Sequence, residues 1–181
     1  MTSSPNDVIA TTLTPVAIGL VGSVVHGLIR RASGRDPLPA AVLWWLFSLI
    51  ISSGSVVASF WIDPDFFAQQ IGYARTPFEF EVSGANLGAF LTLLVSLRVR
   101  SWRLPVTTYY GIFLWLAAGG HIYQYYKHDN HNTGNGPAIW VSDVVIPFVA
   151  FVLLLIASRR SAGEPPQADG GSLDRPAHAT R

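Results

Sequence analysis

Five long apolar stretches constrain the fold of this chain more than any other feature. They cover about residues 8–29, 39–62, 77–97, 104–126 and 137–158. A helix that crosses a bilayer needs about 20 predominantly apolar residues, because each residue adds about 1.5 Å to a path of about 30 Å. The sequence therefore predicts an all-α fold, an integral membrane helical bundle with about five transmembrane helices.

The composition indicates which partners to expect. Half of the 181 residues are hydrophobic and 13% are charged, whereas charged residues make up about a quarter of a soluble domain. A net charge of +1 without a dense basic stripe excludes a nucleic-acid-binding surface. The absence of cysteine excludes disulfides and thiolate metal sites. The expected partners are the lipid bilayer and another membrane protein.

The basic residues predict the orientation in the membrane, because Lys and Arg are retained on the cytoplasmic side. Only Arg75 and Lys127 lie between segments on one side of the predicted bundle. The opposite side carries eight arginines: Arg30, Arg31, Arg35, Arg98, Arg100, Arg103, Arg159 and Arg160. The N-terminus is therefore predicted outside and the C-terminus in the cytoplasm. The excess of Arg over a single Lys favours a bacterial source, hence a bacterial plasma membrane.

The chain divides into two parts. Residues 1–160 contain the apolar stretches and form the predicted transmembrane domain. Residues 161–181 are rich in Ser, Gly, Pro, Gln and Asp and cannot bury enough apolar surface to offset the ordering entropy. This second part is predicted to be a disordered cytoplasmic tail.

Polar residues inside the apolar stretches are the candidates for function. An ionisable side chain in a bilayer costs about 2.5 to 3.5 kcal/mol on insertion scales, so its presence needs a reason. Helix rise places Glu81, Asn86, His121 and Asp143 on the order of 6 to 13 Å below the outer boundary, and they are predicted to converge. Pro147 also frees the carbonyl of Asp143, since proline has no N–H to donate. The predicted ligand-binding set is Glu81, Asn86, His121, Gln124, Asn135 and Asp143.

Two functions fit this polar set. An outward-facing pocket, closed by the loops at 63–76 and 127–136, could bind a small ligand. Alternatively, the polar groups only lock helices together in a non-catalytic subunit or assembly protein. The third stretch leaves open which of its faces points inward: one has Glu79, Ser83 and Asn86, the other Glu81, Gly84 and Gly88. An ion path is not favoured, because the cytoplasmic half has few polar residues. The residue pattern leaves open whether the pocket performs chemistry, with His121 and Glu81 as the candidate residues.

The cofactor question concerns the outer loop after the fourth stretch. His121, His128, Asp129 and His131 have the ligand types for a Zn or Cu site. No metal-binding helix motif accompanies them, and the neighbouring Asn, Gly and Pro residues are typical of turns. A divalent metal is therefore one alternative and turn chemistry the other. The Trp and Tyr side chains, Tyr110 among them, are interpreted as an aromatic belt that needs no cofactor.

Two sequence stretches carry a family resemblance. The first runs from Ile71 to Val82 as IGYARTPFEFEV and continues to Asn86; the second has Gly120-His121, then Gly134-Asn135, then Asp143. In the order and spacing of these residues, the chain resembles a bacterial family of small membrane proteins that is catalogued as a domain of unknown function. The resemblance covers about residues 39–155. It implies a multi-helix membrane fold and a shared polar set of Glu81, Asn86, His121, Asn135 and Asp143, and it implies no activity.

Overall fold

Each of the five apolar stretches forms a helix. The structure, a computed structural model, describes the backbone of residues 4–163 and the side chains of residues 4–160. Six α-helices occur in this part of the chain: α1 Pro5–Ala32, α2 Leu38–Ile62, α3 Pro64–Ile71, α4 Phe78–Ser96, α5 Arg103–Lys127 and α6 Pro137–Gly163. Short 3₁₀ turns precede α5 and α6, at Arg100–Trp102 and Thr133–Asn135. No strand occurs within residues 4–163, so the predicted all-α class is confirmed.

Four of the five long helices have the length and composition to cross a membrane. These are α1, α2, α4 and the stretch Thr133–Arg160, which contains most of α6. Helix α5 has 25 residues and so is long enough. It is not among the four, because Thr, Gly, His and Gln residues dilute its apolar character. The number of membrane-crossing helices identified by length and composition is thus four, one fewer than the sequence predicted.

Helix α3 lies in a segment that was predicted only as an outer loop. It begins after Asp63, whose carboxylate accepts a hydrogen bond from the Phe66 N–H at 3.0 Å. It ends at Gly72, whose φ of 68° belongs to the left-handed region that glycine adopts without steric cost. An aspartate before Pro64, with a glycine eight residues after that proline, is a sequence signature of a short capped helix.

Helices α2 and α6 form the centre of the bundle. Helix α2 packs against α1, α4 and α6, and helix α6 packs against α1, α2 and α5. Helices α4 and α5 share fewer contacts, and this leaves an open groove between them. The core contains Trp45, Leu46 and Leu49 of α2, Leu93 of α4, Tyr110 and Leu114 of α5, and Ile146 and Ala150 of α6. Burial of these side chains positions the polar residues described below.

The outward faces of the long helices are apolar. On α1, Leu20, Val21, Leu28 and Ile29 are each more than half exposed. A continuous apolar surface of this kind is rare on soluble monomers, where it marks an interaction site, and it suits the hydrocarbon of a bilayer. The surface therefore agrees with the membrane environment that the composition predicted.

The cytoplasmic tail prediction falls almost entirely outside the described residues. Helix α6 continues to Gly163, three residues beyond the predicted end of the transmembrane domain at Arg160. The remainder of the predicted tail, residues 164–181, is not described by the structure.

Candidate functional site

The predicted site residues occupy two separate places in the bundle. The outer cluster consists of His121, Asn135 and Tyr73, at the end where helices α5 and α6 are joined. The inner cluster consists of Ser52, Ser53, Asn86 and Tyr110, contributed by helices α2, α4 and α5. Asp143 lies on α6 and is buried without a hydrogen bond to these residues. The prediction that Glu81, Asn86, His121 and Asp143 converge at one point is therefore wrong. Residue counts give the depth of a side chain along its helix, but they do not give the direction in which the side chain points.

The outer cluster is centred on Asn135, which is completely buried. Its side-chain amide donates to the Ile71 carbonyl at 2.6 Å, so its oxygen faces His121, 2.6 Å from the imidazole Nδ1. An amide oxygen can only accept, and the hydrogen must therefore lie on Nδ1 of His121. The neutral ring then keeps an acceptor at Nε2, which has no hydrogen-bond partner among the described residues.

Tyr73 covers the imidazole of His121. The two rings stack with centroids 6.4 Å apart and planes inclined by 19°. Tyr73 lies in the loop between α3 and α4, outside the membrane-spanning segments, and burial raises the pKa of its phenol. The tyrosine therefore stays neutral and acts as an aromatic cover for the histidine.

Asparagines hold the two outer loops together. The Asn130 amide donates to the Ile71 carbonyl at 3.0 Å, and the Asn132 amide donates to the Gln69 carbonyl at 2.9 Å. Gly134 approaches so closely that a Cβ there would lie 2.7 Å from the Gln70 carbonyl oxygen. The two outer loops are thus in contact, and main-chain carbonyls at the end of α3 accept the hydrogen bonds between them. The predicted closure of a ligand pocket by these loops stays a prediction.

The inner cluster is centred on Tyr110, which is also completely buried. Its hydroxyl donates to the side-chain oxygen of Asn86 at 2.9 Å, and the hydroxyls of Ser52 and Ser53 lie beside it. The Asn86 amide donates to the Val82 carbonyl within its own helix at 2.9 Å. These contacts connect α4 and α5 across the groove and connect both to α2.

Tyr110 was not predicted as a site residue, because the tyrosines were interpreted as an aromatic belt. Its position is the signal that could have identified it. It lies four residues before Leu114 and three after Thr107, on the stripe of α5 that faces the core. A tyrosine on the inward stripe of a membrane helix needs a hydrogen-bond partner for its hydroxyl.

Asp143 is the buried carboxyl group of the predicted set, and no protein group of the described residues compensates its charge. Its side chain is 4% exposed, and it makes no hydrogen bond or ion pair to another described residue. Pro147 lies within the same helix, four residues later, and leaves the Asp143 carbonyl without its usual helical donor.

Glu81 is not part of either cluster. It is exposed on the face of α4 that contains Gly84 and Gly88, whereas Ser83 and Asn86 are buried on the opposite face. The structure therefore resolves the choice between the two faces: the inward face is that of Ser83 and Asn86. Glu79, one turn before Ser83, forms an ion pair with Arg75 at 2.7 Å. Assignment of Glu81 to a converging site is wrong because only the inward face can converge.

Gln124 contributes to the outer end through its main chain. Its carbonyl accepts hydrogen bonds from the N–H groups of His128 and Asn130, at 3.1 and 3.2 Å. This arrangement ends helix α5 and starts the loop that contains the asparagines. A ligand-binding role for the Gln124 side chain stays a prediction.

The four predicted metal ligands are not gathered into one site. His121 is bound to Asn135, His128 packs edge-on against Tyr123, and His131 stacks on Tyr125 with centroids 4.3 Å apart. Only His131 and Asp129 approach each other, at 3.1 Å on the exposed loop. Within the described part of the chain, no group of three or more His, Cys, Asp or Glu side chains could hold a metal ion. The predicted four-ligand site is thus not formed, because aromatic neighbours hold two of the histidines apart.

A comparison with models of known protein families gives a match. Residues 9–163 match a family model described as a family of unknown function, DUF6790. No curated protein and no solved structure matches the chain.

Proposed function

The chain belongs to the DUF6790 family of unknown function, and we propose that this member is a non-catalytic subunit or assembly protein of a membrane. The observation that supports the proposal most directly is a pair of linked hydrogen bonds: His121 bonds to Asn135, and Asn135 bonds to the Ile71 carbonyl. Asn135 is completely buried, and both its amide nitrogen and its side-chain oxygen form hydrogen bonds with protein groups. Its role is therefore to fix two loops and a helix relative to one another.

The inner cluster supports the same interpretation. The Asn86 side chain uses its amide within α4 and its oxygen on Tyr110 of α5. Hydrogen bonds of this kind between membrane helices contribute about 0.6 kcal/mol on average and at most about 2 kcal/mol. Such groups lock helices in one arrangement, as an assembly protein that presents a fixed surface requires.

The surface for assembly is the outward face of α4, and we take the partner to be a second copy of the chain. Cβ atoms added at Gly19 or Gly22 would come within 3 Å of neighbouring side chains, which explains why those positions are glycine. Gly84 and Gly88 have nothing within 4 Å, so no contact inside the described chain requires them. Glycines four residues apart on an open membrane helix allow another helix to approach closely.

Leucine at Gly88 is expected to abolish dimers of the protein in lipid vesicles. The larger side chain prevents close approach of two α4 helices, while in the monomer it extends into open space. The measurement is energy transfer between labelled copies at several protein-to-lipid ratios. Gly119→Leu is the matched control, because Gly119 is equally open but lies on α5. A wild-type protein that is monomeric at every ratio would contradict this interface.

An outward-facing ligand pocket is the second candidate function. It is favoured by the Nε2 atom of His121, an acceptor without a partner among the described residues. Residues held for a ligand are not needed for folding, so their removal has little effect on stability. Residues that lock the fold have the opposite property, and this difference distinguishes the two candidates.

We also propose a bacterial plasma membrane location in which α5 is a fifth crossing helix, so that the N-terminus lies outside and the C-terminus in the cytoplasm. Asp36, between α1 and α2, accepts a hydrogen bond from Arg30 through its carbonyl and pairs with Arg160 at 3.3 Å. These arginines therefore lie at one end of the bundle, as the positive-inside rule requires of a cytoplasmic end.

Single cysteines placed at Thr133 and Ser33 are expected to react from opposite sides of the membrane, Thr133 from outside. The chain contains no native cysteine, so each label reports one position. Labelling of intact cells with a membrane-impermeant maleimide measures the exposure. Reaction of Ser33→Cys alone in intact cells would reverse the proposed orientation.

A further inference from the structure

The outward face of α1 carries a groove that neither cluster uses. The groove has a volume of about 700 Å³ and lies between α1 and the Trp44 side chain of α2. Gly22 allows the Trp44 ring to approach α1, because a Cβ added at Gly22 would overlap the ring. Val21, Val25 and Ile29 line the α1 side, and each is more than half exposed. The groove is therefore an open apolar surface rather than part of the core.

One end of the groove lies at basic side chains. Gly22, His26 and Arg30 are spaced four residues apart, so they lie along one stripe of α1, the stripe that faces α2. The Arg30 Nε donates to the Asp36 carbonyl at 2.7 Å. Arg160 of α6 pairs with the carboxylate of the same aspartate at 3.3 Å. The two guanidinium groups therefore both lie beside Asp36, at the end of the groove that Arg30 marks.

This end of the groove has an excess of positive charge. Asp36 is the one acidic residue of the connection between α1 and α2. Five arginines belong to this connection and to the helix ends beside it: Arg30, Arg31, Arg35, Arg159 and Arg160. Among the described residues, the pair of Arg160 with Asp36 is the one ion pair that any of the five forms. An anionic group is therefore attracted to this end of the groove.

His26 contributes a polar group to the lining of the groove. The Trp44 Nε1–H donates to Nδ1 of His26 at 3.3 Å, so the neutral imidazole has its hydrogen on Nε2. This Nε2–H has no hydrogen-bond partner among the described residues. His26 precedes Arg30 by one helical turn, which is about 6 Å. A hydrogen-bond donor thus lies one turn below the basic end.

These features correspond to the parts of a phospholipid. The groove extends from Ala17 to Ile29, about 18 Å along the helix, and one leaflet contributes about 15 Å to the hydrocarbon core. A single acyl chain therefore fits along it. Arginine recognises phosphate through paired hydrogen bonds. In a phospholipid the ester carbonyls, which accept hydrogen bonds, lie just below the phosphate, as His26 lies just below Arg30.

We propose that the groove on α1 binds an anionic phospholipid, with an acyl chain against Val21 and Val25 and the phosphate at Arg30. Basic pockets between membrane helices bind anionic headgroups in this way. A zwitterionic lipid is disfavoured, because its headgroup carries a positive charge that the arginines repel. The site lies on α1, whereas the proposed dimer surface lies on α4, so the inference extends beyond the assembly role.

Native mass spectrometry of the full-length protein in detergent tests this proposal. Dioleoylphosphatidylglycerol competes with dioleoylphosphatidylcholine, which has the same chains and a zwitterionic headgroup. The protein is expected to bind the anionic lipid at least about fivefold more tightly, the effect of about one basic residue near an anionic lipid surface. Glycerol 3-phosphate in large excess supplies the anion without the chains and is expected not to displace the lipid. Equal affinity for the two lipids, or displacement by glycerol 3-phosphate, would overturn the proposal.

Two matched pairs of variants locate the bound lipid. Val25→Phe fills the groove and is expected to abolish binding of the anionic lipid. Val24→Phe is its control, because Val24 is 51% exposed against 52% for Val25 but does not line the groove. Arg30→Gln is expected to remove the preference for the anionic lipid. Arg98→Gln is its control, since it removes the same charge from an exposed position after α4 and is expected to keep the preference.

Equal effects within either pair would show that lipid adsorbs without a defined site, and they would overturn the proposal. Arg30→Gln also loses the hydrogen bond to the Asp36 carbonyl, so the pair at Val25 and Val24 decides the outcome if that variant does not fold. A wild-type dimer that Val25→Phe dissociates would place a second copy of the chain in the groove, which also contradicts lipid binding there.

Discussion

Replacing Asn135 with alanine is expected to lower the free energy of unfolding by about 2 to 5 kcal/mol. The change leaves two groups without their partner: Nδ1 of His121 and, in part, the carbonyl of Ile71. Each buried polar group left unsatisfied costs about 1 to 3 kcal/mol. The position is completely buried, so water cannot simply replace the amide. The melting temperature in detergent measures the effect.

Asn132→Ala is the matched control. The Asn132 side chain also donates to a carbonyl at the end of α3, that of Gln69, but its hydrogen bond is exposed. Water can substitute for an exposed donor, so this change is expected to cost less than about 1 kcal/mol. Equal and small effects of the two substitutions would remove the main support for the structural role and favour the ligand pocket.

Replacing Gly19 with leucine is expected to destabilise the bundle by at least about 1 to 3 kcal/mol. A Cβ at this position would lie 2.6 Å from the Ser48 hydroxyl and 3.1 Å from the Trp45 ring. Trp45 is buried in the core and has little room to move. Helix α1 would therefore have to separate from α2, with the cost of an overpacked interior. Melting in detergent and protease sensitivity of α1 measure the change.

Gly84→Leu is the corresponding control for the stability of the single chain. The substitution is the same and the host is also a membrane helix, but nothing lies within 4 Å of the added Cβ. Leucine is a better helix former than glycine, so the monomer is expected to be unchanged or slightly more stable. A large loss of monomer stability here, or none at Gly19, would contradict the packing described for α1 and α4.

The fold could be predicted from sequence because its signal is local. An apolar run of about 20 residues identifies a membrane helix without knowledge of its neighbours. All five predicted segments are helices, with ends within a few residues of those predicted. Helix α5 shows the limit of the signal: its inward polar residues lower its apolar character, although its neighbours bury them.

The site could be predicted only in part. His121 and Asn135 form a hydrogen bond, because these two residues flank the short connection between α5 and α6. The two outer loops are also in contact. Glu81 and Asn86 lie at similar depth on one helix, yet they point in opposite directions. Rise along a helix follows from residue number, whereas the inward direction depends on which helices pack against it.

The sequence by itself therefore determined the helices, their lengths and the polar residues that a bilayer makes costly, since these depend on residue type and spacing along one chain. Tertiary structure alone decided the pairing of Asn86 with Tyr110, the outward direction of Glu81, and the isolation of Asp143 from any basic side chain of the described residues. The physical reason is that a hydrogen bond or an ion pair requires two groups within about 3 to 4 Å. In this bundle the partners come from different helices, so their separation depends on how the helices pack.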